Sequence, residues 1–257
     1  MKFKNKVCVI TGGANGIGRC TAEEFLAEGA KVAVIDTDKK AGEALARKYG
    51  GGCLFVCGDI TKERVLIDFS NKIIKKYGDV DFLINNACFF GKRGLLSNCG
   101  FDDFNYILML GATAPYMLAK LFKDNFNKGA SIVNIASTRA FMSQPDTESY
   151  SAAKGAIVSL THALSVSLSG KVRVNSISPG WIDVGAYHGD GKYLPKYSKS
   201  DKKQHPAGRV GRPEDIAKTI LFLCGDEAGF ITGENITVDG GMTKLMVYHN
   251  DYGWKLK

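Results

Sequence analysis

The sequence predicts an α/β fold, a doubly wound parallel sheet of seven strands with helices on both faces, in a single domain over residues 1–257. Three observations lead there. A chain of 257 residues suits one large α/β domain. Seven short β-branched runs alternate with helical patterns, which calls for parallel crossovers. The runs are apolar without polar alternation, as expected of strands covered on both faces.

The elements follow in order. VCVIT (7–11) is the first strand, followed by a helix from about Ile17 to Glu28 and the strand KVAVID (31–36). A helix near Lys39–Tyr49 leads to CLFVC (53–57), and one near Lys62–Tyr77 leads to DFLIN (81–85). A long helical run from about Phe104 to Phe126 precedes SIVNIAS (131–137). A helix near Tyr150–Leu168 leads to VRVNSIS (172–178), and one near Pro213–Leu223 precedes ENITVD (234–239). No repeat, low-complexity tract or linker divides the chain.

Composition narrows the class. Hydrophobic residues make up 45% and charged residues 23%, ordinary for a soluble globular protein. No run approaches the roughly 20 apolar residues that span a bilayer. The start, MKFKNKVCVITGG, has too short an apolar stretch for a signal peptide, so a cytoplasmic location is expected. The seven cysteines are odd in number and fit no metal spacing, and are read as reduced thiols. No metal is expected. The net charge of +8 is read as a solvated basic surface, because no nucleic-acid motif accompanies the scattered lysines.

The chemistry starts at TGGANGIG, where Gly12, Gly16 and Gly18 follow a strand and open a helix. An acid, Asp36, ends the second strand 18 residues beyond Gly18. That context sets a pyrophosphate on a helix N-terminus and a carboxylate on a ribose hydroxyl. Thr37, not an arginine, follows Asp36, which favours NAD over NADP; Arg19 is read as pointing to solvent. Further on, Tyr150 and Lys154 stand four apart on one helix and share a face. A free phenol, with a pKa near 10, is a poor base at neutral pH, and a neighbouring ammonium lowers that value. The tyrosine can then exchange a proton with a carbinol or carbonyl oxygen. Ser137, at the end of the fifth strand, can bind the same oxygen.

TGGANGIG, NNAC (85–88), Ser137, YSAAK (150–154), PGW (179–181) and DGG (239–241) stand in the order seen in the short-chain dehydrogenase/reductase family. The chain resembles that family over about residues 5–242, a resemblance that implies a Rossmann fold and an NAD-dependent oxidoreductase acting on a secondary alcohol or ketone. By position it implies cofactor contacts from Asn15 and Ile17 to the phosphates, from Asp59 and Ile60 to adenine, and from Asn85 and Ala87 to the adenosine ribose. Pro179, Gly180 and Ile182 should pass the nicotinamide, and Lys154 should also hold its ribose. It implies a homo-oligomer, dimer or tetramer, built on the two helices around Met109–Phe126 and Tyr150–Leu168.

Three departures stand out. Cys88 replaces the usual glycine of NNAG, and Val184 a usual threonine. Gly111 aligns with the catalytic asparagine, whose backbone carbonyl helps hold a water in the family. Pro115, four residues on, has no N–H to offer that carbonyl. The pairing is read as keeping a water site while leaving room for the water; the competing reading is that Gly111 packs against a neighbouring helix. The corresponding alternative function is a catalytically weak NAD-binding sensor or scaffold. The substrate lid is expected over 184–208. Its five lysines against Asp190 and Asp201 suit a solvated loop, with an acidic or phosphorylated substrate as the second reading. Trp181 and Phe141 are read as apolar walls, and 243–257 as an aromatic-rich extension against a neighbouring subunit.

Overall fold

A computed structural model describes residues 1–89, 94–188, 193–248 and 250–251. Residues 189–192 of the expected lid, Asp190 and Lys192 among them, lie outside the described residues, as do 249 and 252–257 of the expected extension.

The strands are β1 (Val7–Thr11), β2 (Lys31–Asp36), β3 (Cys53–Cys57), β4 (Val80–Asn85), β5 (Phe126–Ile135), β6 (Val172–Pro179) and β7 (Asn235–Val238). They form one sheet in the order β3-β2-β1-β4-β5-β6-β7, and each adjacent pair is parallel. The chain winds outward from β1 to β3, then returns to lay β4 on the other side of β1. The connections leaving β1 and β4 therefore diverge and open a crevice at the carboxyl ends of these strands.

The helices are α1 (Gly16–Ala27), α2 (Lys39–Tyr49), α3 (Glu63–Tyr77), α4 (Phe101–Leu108), α5 (Ala114–Phe122), α6 (Glu148–Ser167), α7 (Lys199–Lys203) and α8 (Pro213–Cys224). Successive strand residues feed opposite layers. Val7 and Val9 join Leu66, Phe69 and Ile73 of α3 with Leu118 and Phe122 of α5. Cys8 and Ile10 join Ala22 and Phe25 of α1 with Ile216, Ile220 and Leu223 of α8. The central strands β1 and β4 are buried throughout, which is why their sequences lack alternation.

The long helical run is where sequence and structure part. It begins three residues early, at Phe101, because Asp102 and Asp103 supply the acidic first turn a helix start favours. It stops at Phe122, and Phe126 opens β5 opposite Val80. An aromatic four residues after Phe122 continues a helical pattern and begins a strand equally well. In its middle, Met109–Thr113 form a π turn in which the Ala114 N–H donates to the Met109 carbonyl, five residues back. The extra residue places Pro115 in the first turn of α5, where a missing N–H costs little. Inside a continuous α-helix the same proline costs about 3 kcal/mol. The short helix α7 was not anticipated from the sequence; Ser198 caps it, accepting from Asp201 N at 3.1 Å.

Candidate active site

The crevice is lined by the loop after β1, the end of β2, the loop after β3 and the NNAC segment. Gly12 has φ +64°, and a Cβ there would lie 2.8 Å from Ala87 Cα. A Cβ on Gly18 would lie 2.1 Å from the Gly12 carbonyl oxygen. Only glycines let α1 start this close to the strand end. Asn86 fastens the loop, its Nδ2 donating to Thr11 O at 3.1 Å and Gly12 O at 2.9 Å. Asn15 precedes α1 but does not cap it; its Nδ2 donates to Asp38 Oδ2 at 2.9 Å. The first turn of α1 thus has no side-chain cap and no acidic residue, and Gly16 and Ile17 face the crevice. Such a terminus suits a phosphate group.

Three carboxylates, Asp36, Asp38 and Asp59, line the far end, and among the described lining residues there is no lysine or arginine. Asp36 Oδ2 accepts from Ala14 N at 3.0 Å and Oδ1 from Asp38 N at 2.9 Å. Asp38 Oδ1 caps α2 by accepting from Ala41 N at 3.0 Å. That bond, aided by Asn15, holds the Asp38 carboxyl below its ordinary range. Arg19 pairs along α1 with Glu23 at 3.4 Å. Asp59, Ile60 and Ala87 all line the crevice. Asn85 does not: it is buried, and its Nδ2 donates to Asn134 at 2.7 Å, linking β4 to β5. The crevice-side asparagine is Asn86, one residue later.

The candidate reacting groups, Ser137, Tyr150 and Lys154, gather near one another. Ser137 lies two residues beyond β5 rather than within it, and its Oγ accepts from Arg139 N at 3.2 Å. Tyr150 sits in the first turn of α6 and hydrogen-bonds Ser137. Lys154, one turn on, is 3% exposed. Its Nζ donates to Ile135 O at 2.7 Å and lies 5.4 Å from the Tyr150 ring centre. Burial pushes the phenol above its ordinary value, and Cys88 adds to that; the Ser137 bond and the Arg139 charge pull against it. Burial also pushes the Lys154 amine down. In the protein alone, then, the phenol is kept neutral. Burial disfavours both charges, and in the protein alone it outweighs the lowering of the tyrosine by Lys154 that the sequence suggests.

Gly111 corrects a second expectation. A Cβ built on it would lie 2.9 Å from Ala153 Cβ, in α6 beside Lys154. On its side-chain face the room expected beside Gly111 is filled by α6, so on that face Gly111 is a packing position. Pro179 ends β6, a Cβ on Gly180 would lie 2.6 Å from Asp239 Cβ, and Ile182 bridges to Gly211. Val184 lines the crevice above Gly16. Sequence reading missed Asn86, Asp38 and His188 in the crevice wall. For Asn86 the NNAC motif was the signal, misread by one residue; for His188 there was none.

The comparisons with known proteins agree with this arrangement. A family model described as enoyl-(acyl carrier protein) reductase matches residues 12–243. An uncharacterized oxidoreductase of Thermotoga maritima is 43% identical over 96% of this chain and 99% of its own length. The solved structure of an apo SCOR enzyme from Clostridium thermocellum is 43% identical, with a TM-score of 0.87 over 98% of both chains. A glucose/ribitol-type short-chain dehydrogenase/reductase from Brucella melitensis is 30% identical, with a TM-score of 0.85 over 96% of this chain and 99% of its own. Fold, ordered motifs and relatives converge: this chain belongs to the short-chain dehydrogenase/reductase family of oxidoreductases.

Proposed function

We propose that the protein is an NAD-dependent dehydrogenase or reductase moving a hydride between nicotinamide and a secondary alcohol or ketone. The observation that carries this is the meeting of Ser137, Tyr150 and Lys154 beside a crevice with an uncapped helix start and three carboxylates. The pyrophosphate fits the first turn of α1, at Asn15, Gly16 and Ile17. Asp36 accepts from the adenosine ribose, Asp59 and Ile60 flank adenine, and Asn86 and Ala87 border the ribose. Lys154 grips the nicotinamide ribose, and Pro179, Gly180 and Ile182 flank the ring. A 2′-phosphate would meet three carboxylates and, among the described lining residues, no cation, which favours NAD over NADP.

Bound nicotinamide supplies or accepts the hydride. In ketone reduction the Ser137 hydroxyl donates to the substrate oxygen and the neutral Tyr150 phenol gives up its proton as the carbinol C–H forms. In alcohol oxidation the C–H bond breaks with its electron pair leaving as hydride, and the hydroxyl proton passes to a Tyr150 phenolate. Lys154 steadies that phenolate.

The lid reading of 184–208 is supported by its docking. Asp183 accepts from Tyr193 at 3.0 Å and from Tyr197, while Tyr197 and His205 pack 6.2 and 6.0 Å from Trp181. The packing of Gly111 on Ala153 is the observation behind the second reading, a catalytically weak NAD-binding sensor or scaffold, and turnover of an alcohol or ketone decides against it. We also read the chain as one cytoplasmic domain forming a homo-oligomer through exposed Phe101, Tyr116 and Val166, whose mass light scattering measures.

Calorimetric titration with both cofactors, followed by an alcohol panel read at the reduced-nicotinamide absorbance, tests the proposal. NAD is expected to bind more tightly, and at least one secondary alcohol to reduce it. Equal or tighter NADP binding overturns the cofactor assignment, and inertness toward every alcohol and ketone overturns the activity.

A further inference from the structure

The chain leaving β6 turns back over the glycine loop. Ile182 bridges to Gly211, and the Asp183 N–H donates to Gly211 O at 3.0 Å. Asp183 Oδ1 accepts from the Gly185 N–H at 2.9 Å and starts a tight turn, Gly185–Tyr187. The Tyr187 hydroxyl donates to Glu214 Oε1 at 2.8 Å, at the start of α8, and the His188 N–H closes the turn on Gly185 O at 3.1 Å. These bonds deliver two side chains to Gly16, the first residue of α1. A Cβ built on Gly16 would lie 3.4 Å from Val184 Cβ and 3.6 Å from His188 Nε2. Val184 covers the glycine with methyl groups, which offer no hydrogen bond. His188 covers it with a ring nitrogen, on an exposed side chain that lines the crevice together with Asn15, Gly16 and Ile17.

The described wall of the crevice is otherwise negative. Asp36, Asp38 and Asp59 line it, and a dinucleotide adds the negative charges of its pyrophosphate. The N–H groups at the start of α1 offset part of this, with a dipole worth roughly half an elementary charge. Among the described lining residues, His188 is the one that can become a cation. Asp38 does not claim it. That carboxyl is held below its ordinary range first by the Ala41 N–H and then by Asn15, and the imidazole charge is the last of its influences. An imidazolium donates from both ring nitrogens, and histidine is the side chain whose charge changes near neutral pH.

We propose that His188 is a cofactor-binding residue whose imidazole closes over the pyrophosphate, opposite the N–H groups of α1, and holds it more tightly in its positive form. This rests on the placement of the pyrophosphate at Asn15, Gly16 and Ile17 in the dehydrogenase reading, and adds to that reading a dependence of cofactor affinity on pH. The sign follows from which form binds better. The charged ring binds better, so affinity rises as pH falls through the range in which the ring takes up its proton. By reciprocity, binding near neutral pH draws a fraction of a proton onto the protein. Other titratable groups share the region. Asp36, Asp38, Asp59, Cys88 and Tyr106 face the same crevice, and Cys20, Tyr187 and Glu214 lie behind the turn.

Calorimetry with ADP-ribose tests it, beside NAD and NADH. This fragment carries the pyrophosphate as a diester, whose charge is constant between about pH 5 and 8 where a histidine titrates, and it lacks the nicotinamide. The wild type is expected to bind it about tenfold more tightly at the acid end of that range than at the alkaline end. That is the low part of the span for a hydrogen bond to a charged group, because the side chain is exposed. Titrations near pH 7 in buffers of different ionisation enthalpy should show the proton taken up. His188→Gln should bind at one pH-independent level, close to the wild type's alkaline value, and take up no proton. His188→Arg, charged throughout, should also lose the pH dependence and bind more tightly than His188→Gln. A loss of packing alone would shift affinity at every pH and leave the proton count unchanged. ADP-ribose binding that is indifferent to pH overturns the proposal. So does a pH dependence or proton uptake that survives in His188→Gln, which assigns the titration to one of the neighbouring groups. In both cases NAD binding keeps the dehydrogenase reading. Absence of binding by NAD, NADH and ADP-ribose at every pH overturns both.

Discussion

Tyr150 shows how far a residue's surroundings, rather than its type, set its chemistry. Its phenol is raised by burial, then by Cys88, and drawn back by Ser137 and Arg139. The neutral form therefore dominates at pH 7, and in the proposed reaction that form is the proton donor for reducing a ketone. Oxidation needs the phenolate, so its rate should climb with pH across the alkaline range while reduction stays level through neutrality; initial rates in both directions against pH check this. Tyr150→Phe keeps the ring and removes the transferable proton. Its turnover should drop by roughly 10²- to 10⁴-fold, with NAD affinity little changed by calorimetry. Retention of most of the activity would assign the proton transfer elsewhere. The residue types and spacings of Ser137, Tyr150 and Lys154 were readable in the chain, because Y-x3-K on a helix and a serine after a strand are local patterns. Their electrostatics were not, since burial depends on β5, α6 and the NNAC segment meeting in space.

Among the elements, the interrupted helix from α4 to α5 gives the clearest test. Gly111 lets the π turn lie against α6 at Ala153, and an added methyl at 2.9 Å forces one helix to move. Gly111→Ala should cost about 1–3 kcal/mol by overpacking, read as a fall of several degrees in Tm at about 2–4 °C per kcal/mol for a chain near this size. Adding Ala153→Gly should recover most of that loss. A double variant no more stable than Gly111→Ala alone would show that the contact does not set the cost. The Gly111–Pro115 spacing announced a distortion, and the distortion is there. Its cause was misjudged because a single sequence does not say which face of a helix meets which neighbour. Boundaries set by local signals, such as α2 with its Asp38 cap, fell where the sequence placed them. The end of α5 did not, because Phe126 is claimed by Val80 across the sheet.

For the molecule as a whole, folded-state bonds to carboxylates tie stability to pH. Arg209 donates to both oxygens of Asp215, at 2.6 and 2.7 Å, and the Arg212 N–H adds a third bond at 2.8 Å at the start of α8. Arg209 first, with the Arg212 N–H helping, holds the Asp215 carboxyl below its ordinary 3.8. A carboxyl lowered by folding stabilises the native state at pH values above its unfolded value, and that stabilisation is lost as pH falls below 3.8 through the folded value. Asp215→Asn should therefore be less stable than the wild type at pH 7, by about 1 kcal/mol for a partly exposed pair, and the two should converge in acid below that point. Denaturant titrations at pH 7 and pH 3 give the comparison, and a gap that persists undiminished in acid would exclude ionisation as its source. A doubly wound parallel sheet was legible from alternation alone, because seven apolar runs with helical crossovers leave few ways to wind; the strand order, and with it the crevice between β1 and β4, comes from the structure. Asp36 ties this architecture to cofactor choice. Its carboxylate accepts from the Ala14 N–H of the glycine loop and also lines the crevice, where the proposed reading puts the adenosine ribose. A lineage or an engineer seeking NADP use by deleting that charge would loosen the loop in the same stroke. The accessible route is a neutral acceptor such as Asp36→Ser or Asp36→Asn, followed by a cation from the first turn of α2, and the order of those two steps is constrained.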